Sequence, residues 1–190
     1  EEIRIERSAD GKPRLVFDSE LQNKKDRYYF SEIRTTKPGE FWHSNIDLNI
    51  EHGKIETPHQ PVMRIGTPVF HKGLFRGVLI VNLNMKKFFT EFESFPSFQT
   101  HLTDKDGEFL IHPDPVYAWS RYLGKEKKLP HELGQTAKQI LENDEYSGKF
   151  LYSFAMESHI KNREGLKLIL IPKPYILENL KNCDVPLTLW

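Results

Sequence analysis

Val62-Met63-Arg64-Ile65-Gly66-Thr67-Pro68-Val69-Phe70, then Lys72-Gly73, then Arg76-Gly77-Val78-Leu79-Ile80-Val81-Asn82-Leu83-Asn84-Met85 is the stretch on which the fold turns. Both runs are apolar and β-branched, and the second is the most convincing strand in the chain. Two long strands joined by a short glycine-containing turn make an antiparallel hairpin. Just upstream, Thr57-Pro58-His59-Gln60-Pro61 cannot be a central strand, because two prolines remove ladder donors. Residues 41–50 alternate at Ile46, Leu48 and Ile50 and read as a strand, with His52-Gly53-Lys54 as a turn. At the start of the chain Ile3 and Ile5 alternate, Ala9-Asp10-Gly11-Lys12-Pro13 breaks the pattern and Leu15-Val16-Phe17 follows. This is a hairpin on an Asp-Gly turn. Residues 19–26 are polar, a short helix or loop leading into Arg27-Tyr28-Tyr29-Phe30.

Downstream, Phe88, Phe89 and Phe92 have helical spacing, so Lys86 to Phe92 reads as a short helix. Ser94-Phe95-Pro96-Ser97 ends it and marks the boundary between two modules. The second half repeats the logic. Phe98–Leu102 and Glu108–Ile111 are strands around an Asp104-Lys105-Asp106-Gly107 turn, stopped by His112-Pro113-Asp114-Pro115. Leu133, Ala137, Ile140 and Leu141 form the apolar stripe of a helix over 130–146, with Gly148 near its C-terminal cap. Lys149–Met156 and Leu166–Ile171 are strands separated by a polar loop, 157–165. Pro172 and Pro174 close the sheet, and Tyr175–Asn182 reads as an exit helix. Sequential antiparallel strands with helices to one side indicate the α+β class.

Twenty-seven Lys and Arg balance 27 Asp and Glu in 190 residues, which argues against nucleic acid as a partner. Aromatic residues at 12% exclude disorder as the main state. The single cysteine, Cys183, excludes an internal disulfide and a Cys-rich zinc site, and it has no neighbouring base that would mark a nucleophile. No apolar run is long enough to span a bilayer, and the start has no signal-peptide pattern. A cytosolic protein and an ectodomain cut free of its membrane helices both look like this.

Catalytic motifs are missing. There is no G-x-S-x-G, H-E-x-x-H, P-loop or dinucleotide fingerprint, and His131-Glu132 lacks the second histidine. Asp104-Lys105-Asp106-Gly107 begins like a calcium loop, but its glycine comes too early and no glutamate closes the loop, so it reads as a hairpin turn. His43, His52 and His59 crowd one region and read as exposed loop histidines, and His112 as a strand-end residue. No catalytic residue, metal ligand or cofactor is assigned.

What stands out lies in the first half. Arg27 precedes Tyr28-Tyr29-Phe30, and Trp42 and Ser44 open a strand. Arg64 and Asn82 interrupt apolar strands. A buried arginine or asparagine is costly unless paired. One resolution is a pocket with aromatic walls, an arginine for a carboxylate and an amide or hydroxyl for orientation. The other is that strand side chains alternate and these two face water or an edge. Spacing alone leaves the two level.

At these residues the chain resembles a known family. The segments 21–30, Trp42–Asn49, Glu51–Glu56, Pro61–Arg64 and Gly77–Asn82 look like the double Cache sensor domains, PAS-like extracytoplasmic modules of bacterial histidine kinases, diguanylate cyclases and chemoreceptors. Leu102–Pro115 is similar to the opening of their second, membrane-proximal module. The resemblance implies two tandem PAS-like modules, each a central antiparallel sheet flanked by helices: 1–92 membrane-distal, 93–182 membrane-proximal, and a tail at 183–190. It implies a periplasmic domain of an inner-membrane receptor that binds a small molecule in the first module, through Arg27, Tyr29, Phe30, Trp42, Ser44, Arg64 and Asn82. Binding would move a helix running to the membrane and alter a cytoplasmic kinase or cyclase domain.

Two departures bear on this. The family begins with a long helix leaving the first membrane span, along which receptor copies form a homodimer; this chain starts in strand-like sequence. Amino-acid-sensing members carry an aspartate in the last strand, where this chain has Asn82. A neutral amide cannot fix an ammonium group by charge, which points to a carboxylate or another neutral or anionic metabolite. Two further readings are a protein-interaction or structural module of the same fold without a ligand, and a small metal-dependent enzyme built on His43, His52 and His59.

Overall fold

The computed structural model describes residues 1–8, 10–93, 95–124, 127–148, 151–156 and 165–181. Cys183 with the tail 183–190, residue 182 of the exit helix and nearly all of the 157–165 loop lie outside the described residues. The chain divides into two compact units, Glu1–Asn84 and Met85–Trp190.

In the first unit, β1 (Ile5–Arg7) and β2 (Pro13–Leu15) form the expected hairpin, with Ile5 opposite Leu15. The polar segment after it holds one 3-10 turn, Asp18–Glu20. Helix α1 (Tyr28–Arg34) follows. Its residues were legible only as an aromatic run, yet Tyr29 and Ile33, four apart, are its buried pair. Next come β3 (Trp42–Leu48), then β4 (Ile50–Glu51) and β5 (Lys54–Ile55), which pair around His52 and Gly53, both at positive φ.

The long hairpin is β6 (Pro61–His71) and β7 (Leu74–Asn84). Its turn residues Lys72 and Gly73 have φ of 50° and 76°, the two left-handed positions that match a two-residue connection to strand twist. The sheet order is β3-β6-β7, so β6 is central. Its first residues, Pro61 to Arg64, are all buried.

The second unit opens with α2 (Lys86–Glu93), the helix that the sequence reading attached to the first module. A five-stranded antiparallel sheet follows in the order β10-β11-β12-β8-β9. The strands are β8 (Phe98–Thr103), β9 (Phe109–Ile111), β10 (Glu145–Gly148), β11 (Leu151–Met156) and β12 (Leu166–Pro172). Between β9 and β10 lie α3 (Ser120–Leu123), α4 (Leu129–Leu133) and α5 (Gln135–Glu142), and α6 (Pro174–Lys181) follows β12.

Here one expectation is corrected. The helix read over 130–146 is two helices and a strand. Gly134, at φ 53° and ψ −126°, separates α4 from α5, and Asn143 leaves α5 in an extended conformation. Gly148 is therefore the end of a strand paired to Leu151, not a helix cap. The apolar stripe is real, with Ala137 and Ile140 fully buried, and it packs with Phe109, Leu129 and Ile169 as the core of this unit. The stripe locates α5, but it carries no information about the backbone reversal at either end.

The Asp-Gly turn of the β8–β9 hairpin also explains the calcium-like residues. One Asp104 carboxylate oxygen accepts the backbone N–H groups of Asp106 and Glu108, both at 2.9 Å, and the other accepts from Arg121. The carboxylate thus serves the turn.

Candidate functional site

Alternation along β6 puts Val62, Arg64 and Gly66 on one face. Register adds Trp42 and Asp47 from β3 and Ile80 and Asn82 from β7 to that face. Helix α1 lies over it, close enough that a Cβ on Gly66 would stand 2.3 Å from Ile33 Cδ1. The absence of a side chain at 66 is therefore what admits the helix.

Arg64 is 3% exposed in the middle of this face. Its Nη1 lies 3.4 Å from Asp47 Oδ2 and its Nη2 3.2 Å from Asn49 Oδ1. Its guanidinium carbon lies 5.2 Å from the centroid of the Tyr29 ring, which Arg27 also approaches, at 5.7 Å. A one-residue bulge in β3 brings Ser44 under the strand, where its hydroxyl accepts the Arg64 backbone N–H at 2.9 Å.

Around the guanidinium stands an aromatic wall. Tyr28 packs edge-on to both Tyr29 and Trp42, and its phenol hydrogen-bonds Asp47. Burial, and then the Asp47 charge, raise the Tyr28 phenol above its ordinary range. Burial raises Tyr29 as well, against the opposing pull of Arg27 and Arg64. Trp42 Nε1 donates to Glu32 at 2.9 Å, tying β3 to α1.

Polar support continues past Asn49, which donates to Glu51 and Glu56 at 3.2 and 3.0 Å. Burial pushes the Glu51 carboxyl up, but hydrogen bonding from Gln22 and the charges of Lys24 and Arg4 outweigh it, bringing it to about 2.

The structure thus brings Tyr29 and Trp42 to Arg64, with Arg27 at the Tyr29 ring and Ser44 on the Arg64 backbone. Phe30 turns instead to Phe75, with ring centroids 6.3 Å apart. Asn82 lies opposite Arg64 in register but is exposed on the outer strand. Tyr28, Asp47 and Asn49 were missed by the sequence reading. Their signal was available: in Ile46-Asp47-Leu48-Asn49-Ile50 the polar residues occupy the alternate positions, away from buried Ile46 and Leu48. The histidines 43, 52 and 59 form no metal-ligating group among the described residues, and His43 is a half-buried residue of β3, not a loop residue.

The site therefore offers a buried guanidinium, a carboxylate beside it and aromatic faces around both. A family model for the sensor domain of bacterial histidine kinases matches residues 1–143, three quarters of the chain. This chain belongs to that sensor-domain family. The family is a sensing one, and no catalytic role is assigned to this chain.

No curated protein matches the sequence. Solved structures do match the fold. One is the extracellular domain of a protein assigned as a histidine kinase: 17% identity, TM-score 0.79, covering 96% of this chain and 67% of the other. Another is a domain of a sensory box/GGDEF family protein from Vibrio parahaemolyticus: 16% identity, TM-score 0.78, covering 93% and 68%. A third is the ligand-binding domain of the Pseudomonas fluorescens chemoreceptor CtaA, solved with L-serine: 15% identity, TM-score 0.52, covering 86% and 69%. At these identities the likeness is one of fold, and it supports the α+β, PAS-like architecture of the sensor domain. Among its described residues no helix is long and apolar enough to cross a membrane.

Proposed function

We propose that this sensor domain lies outside the cytoplasmic membrane as part of a receptor held there by flanking helices. In this reading it has two modules and binds a small carboxylate-bearing metabolite, amino acids included, on the Arg64 face of the first. The observation that carries the reading is the buried Arg64 guanidinium, ringed by aromatic side chains under α1. A planar fork of five donors suits a carboxylate, and Asp47 and Asn49 engage only two of its nitrogens. Asn82 lacks the charge to hold an ammonium group, but Asp47 carries it beside Arg64. The chemoreceptor domain solved with L-serine adds support for including amino acids.

Signalling follows if the ligand prefers one of two positions of α1, because a ligand shifts an equilibrium only by its differential affinity. The output would be a cytoplasmic kinase or cyclase domain, with the full receptor acting as a homodimer.

A thermal-shift panel of organic acids and amino acids tests the binding. A ligand at about 100 times its Kd adds about 2.7 kcal/mol to folded-state stability, a rise of several degrees. At least one carboxylate should raise the melting temperature of the wild type and fail with Trp42→Ala. A panel without a single responder overturns the reading.

One observation favours a ligand-free, protein-interaction module of the same fold: Arg64 already has Asp47 and Asn49 as partners. An inert panel supports that alternative.

A further inference from the structure

The second unit holds a group of side chains that the sensing role does not use. His101 is on β8, His112 directly follows β9, and Glu132 is on α4. Leu102 pairs with Ile111, so the next residues outward, His101 and His112, stand across the hairpin from each other with ring centroids 5.0 Å apart. Helix α4 brings Glu132 to both. Its Oε2 lies 3.0 Å from His112 Nε2 and its Oε1 lies 3.7 Å from His101 Nε2. One ligand atom from each residue falls within 4.8 Å of the others.

We infer that His101, His112 and Glu132 form a binding site for a divalent transition-metal ion of the zinc type, joining the β8–β9 hairpin to α4. Two imidazoles and one carboxylate are a borderline-soft donor set suited to zinc, and three protein ligands leave a fourth position for water or a substrate group. Donors around a tetrahedral zinc at about 2.0–2.1 Å stand roughly 3.3 Å apart, so small side-chain rotations close the site.

The surroundings fit the assignment. His101 is 3% exposed, and its Nδ1 has no hydrogen-bond partner among the described residues. Its Nε2 stands beyond hydrogen-bond reach of Glu132. A buried imidazole whose Nε2 stands 3.7 Å from its carboxylate neighbour is poorly satisfied at that nitrogen, and a metal bond at Nε2 supplies it with a partner. His112 Nδ1 lies 3.0 Å from the Asp114 carbonyl oxygen and 2.9 Å from the Asp114 amide nitrogen. Metal binding selects the tautomer in which Nδ1–H donates to the carbonyl, leaving the Nε2 lone pair toward the ion. Phe109 packs on both imidazoles and Tyr117 on His112, walling the group with apolar surface. The competing cation is Lys127, whose Nζ lies 3.7 Å from Glu132 Oε2. Its flexible stem lets it retreat when a divalent ion takes the carboxylate.

The test is titration of the tag-free chain with Co2+, followed by its visible d–d absorption, with displacement by Zn2+ and a parallel thermal melt. The expected result is one Co2+ per chain, displaced by Zn2+, and a Zn2+-dependent rise in melting temperature. Glu132→Gln and His112→Gln, checked for folding by circular dichroism, weaken binding roughly tenfold or more. His59→Ala, at an exposed position of the first unit, leaves it unchanged. Absence of saturable absorption in the wild type overturns the site. Undiminished binding in both folded variants overturns it too, since the ion is then held elsewhere.

Discussion

The Arg64 guanidinium stacks on Tyr29, its carbon 5.2 Å from the ring centroid, and so joins the central strand of the first sheet to helix α1. The contact is possible because Asp47 and Asn49 take up charge and donors that would otherwise be stranded under the helix.

Arg64→Met should destabilise the chain by about 3 kcal/mol, the lower end of the range for removing one partner of a buried pair. Asp47 keeps its bond from Tyr28 and is partly exposed to solvent, which limits the loss. Adding Asp47→Asn should recover part of it, because the uncompensated charge is then gone. Urea unfolding of the two variants checks this. Equal stability of Arg64→Met and wild type would contradict the pairing.

Gly66→Ala places a methyl group against Ile33 and 3.2 Å from the Leu79 carbonyl oxygen. Overpacking of this kind costs about 1–3 kcal/mol. Ile33→Val removes the nearest atom, so the double variant should be more stable than the sum of the singles predicts. A double-mutant cycle by denaturant melts measures that coupling.

Glu51 contributes to acid behaviour in the first unit. Its carboxyl sits at about 2 in the folded chain against 4.5 ordinarily, so the folded state binds fewer protons between those values. The stabilisation is complete above about pH 4.5 and is lost as pH falls toward 2; it amounts to at most about 3 kcal/mol. Glu51→Gln should be less stable at pH 7 and lose less stability on acidification. Parallel stability curves from pH 7 to 2 would rule this out.

Phe109 is fully buried in the second core and packs on His101 and His112. Phe109→Ala should cost about 3–5 kcal/mol. Phe109→Leu, which keeps most of the volume, should cost far less. Chemical denaturation distinguishes the two.

Much of this architecture could be read locally. The Val62–Phe70 and Arg76–Met85 runs are a hairpin because β-branched side chains meet left-handed turn residues at Lys72 and Gly73. Arg64 was legible as a charge that needs a partner if buried, because it interrupts an apolar run. Helix α1 was less so, since it is only seven residues long and its first three are aromatic residues that strands also favour. Gly134 hides in the 130–146 pattern because periodicity reports which face is buried, not where the backbone turns.

The order of side chains along the chain, read alone, determined that there are two runs of antiparallel strands, an arginine in need of a partner and a sensor-like series of motifs. Those properties depend on neighbours a few residues away. Tertiary structure alone decided that the partner is Asp47 with Asn49, and that His101, His112 and Glu132 meet. Each depends on a register: the bulge in β3 places Asp47 alongside the Arg64 strand, and the bulge between Leu102 and Thr103 sets His101 across from His112. A shift of one residue reverses which face a side chain takes, and packing between distant elements sets that shift.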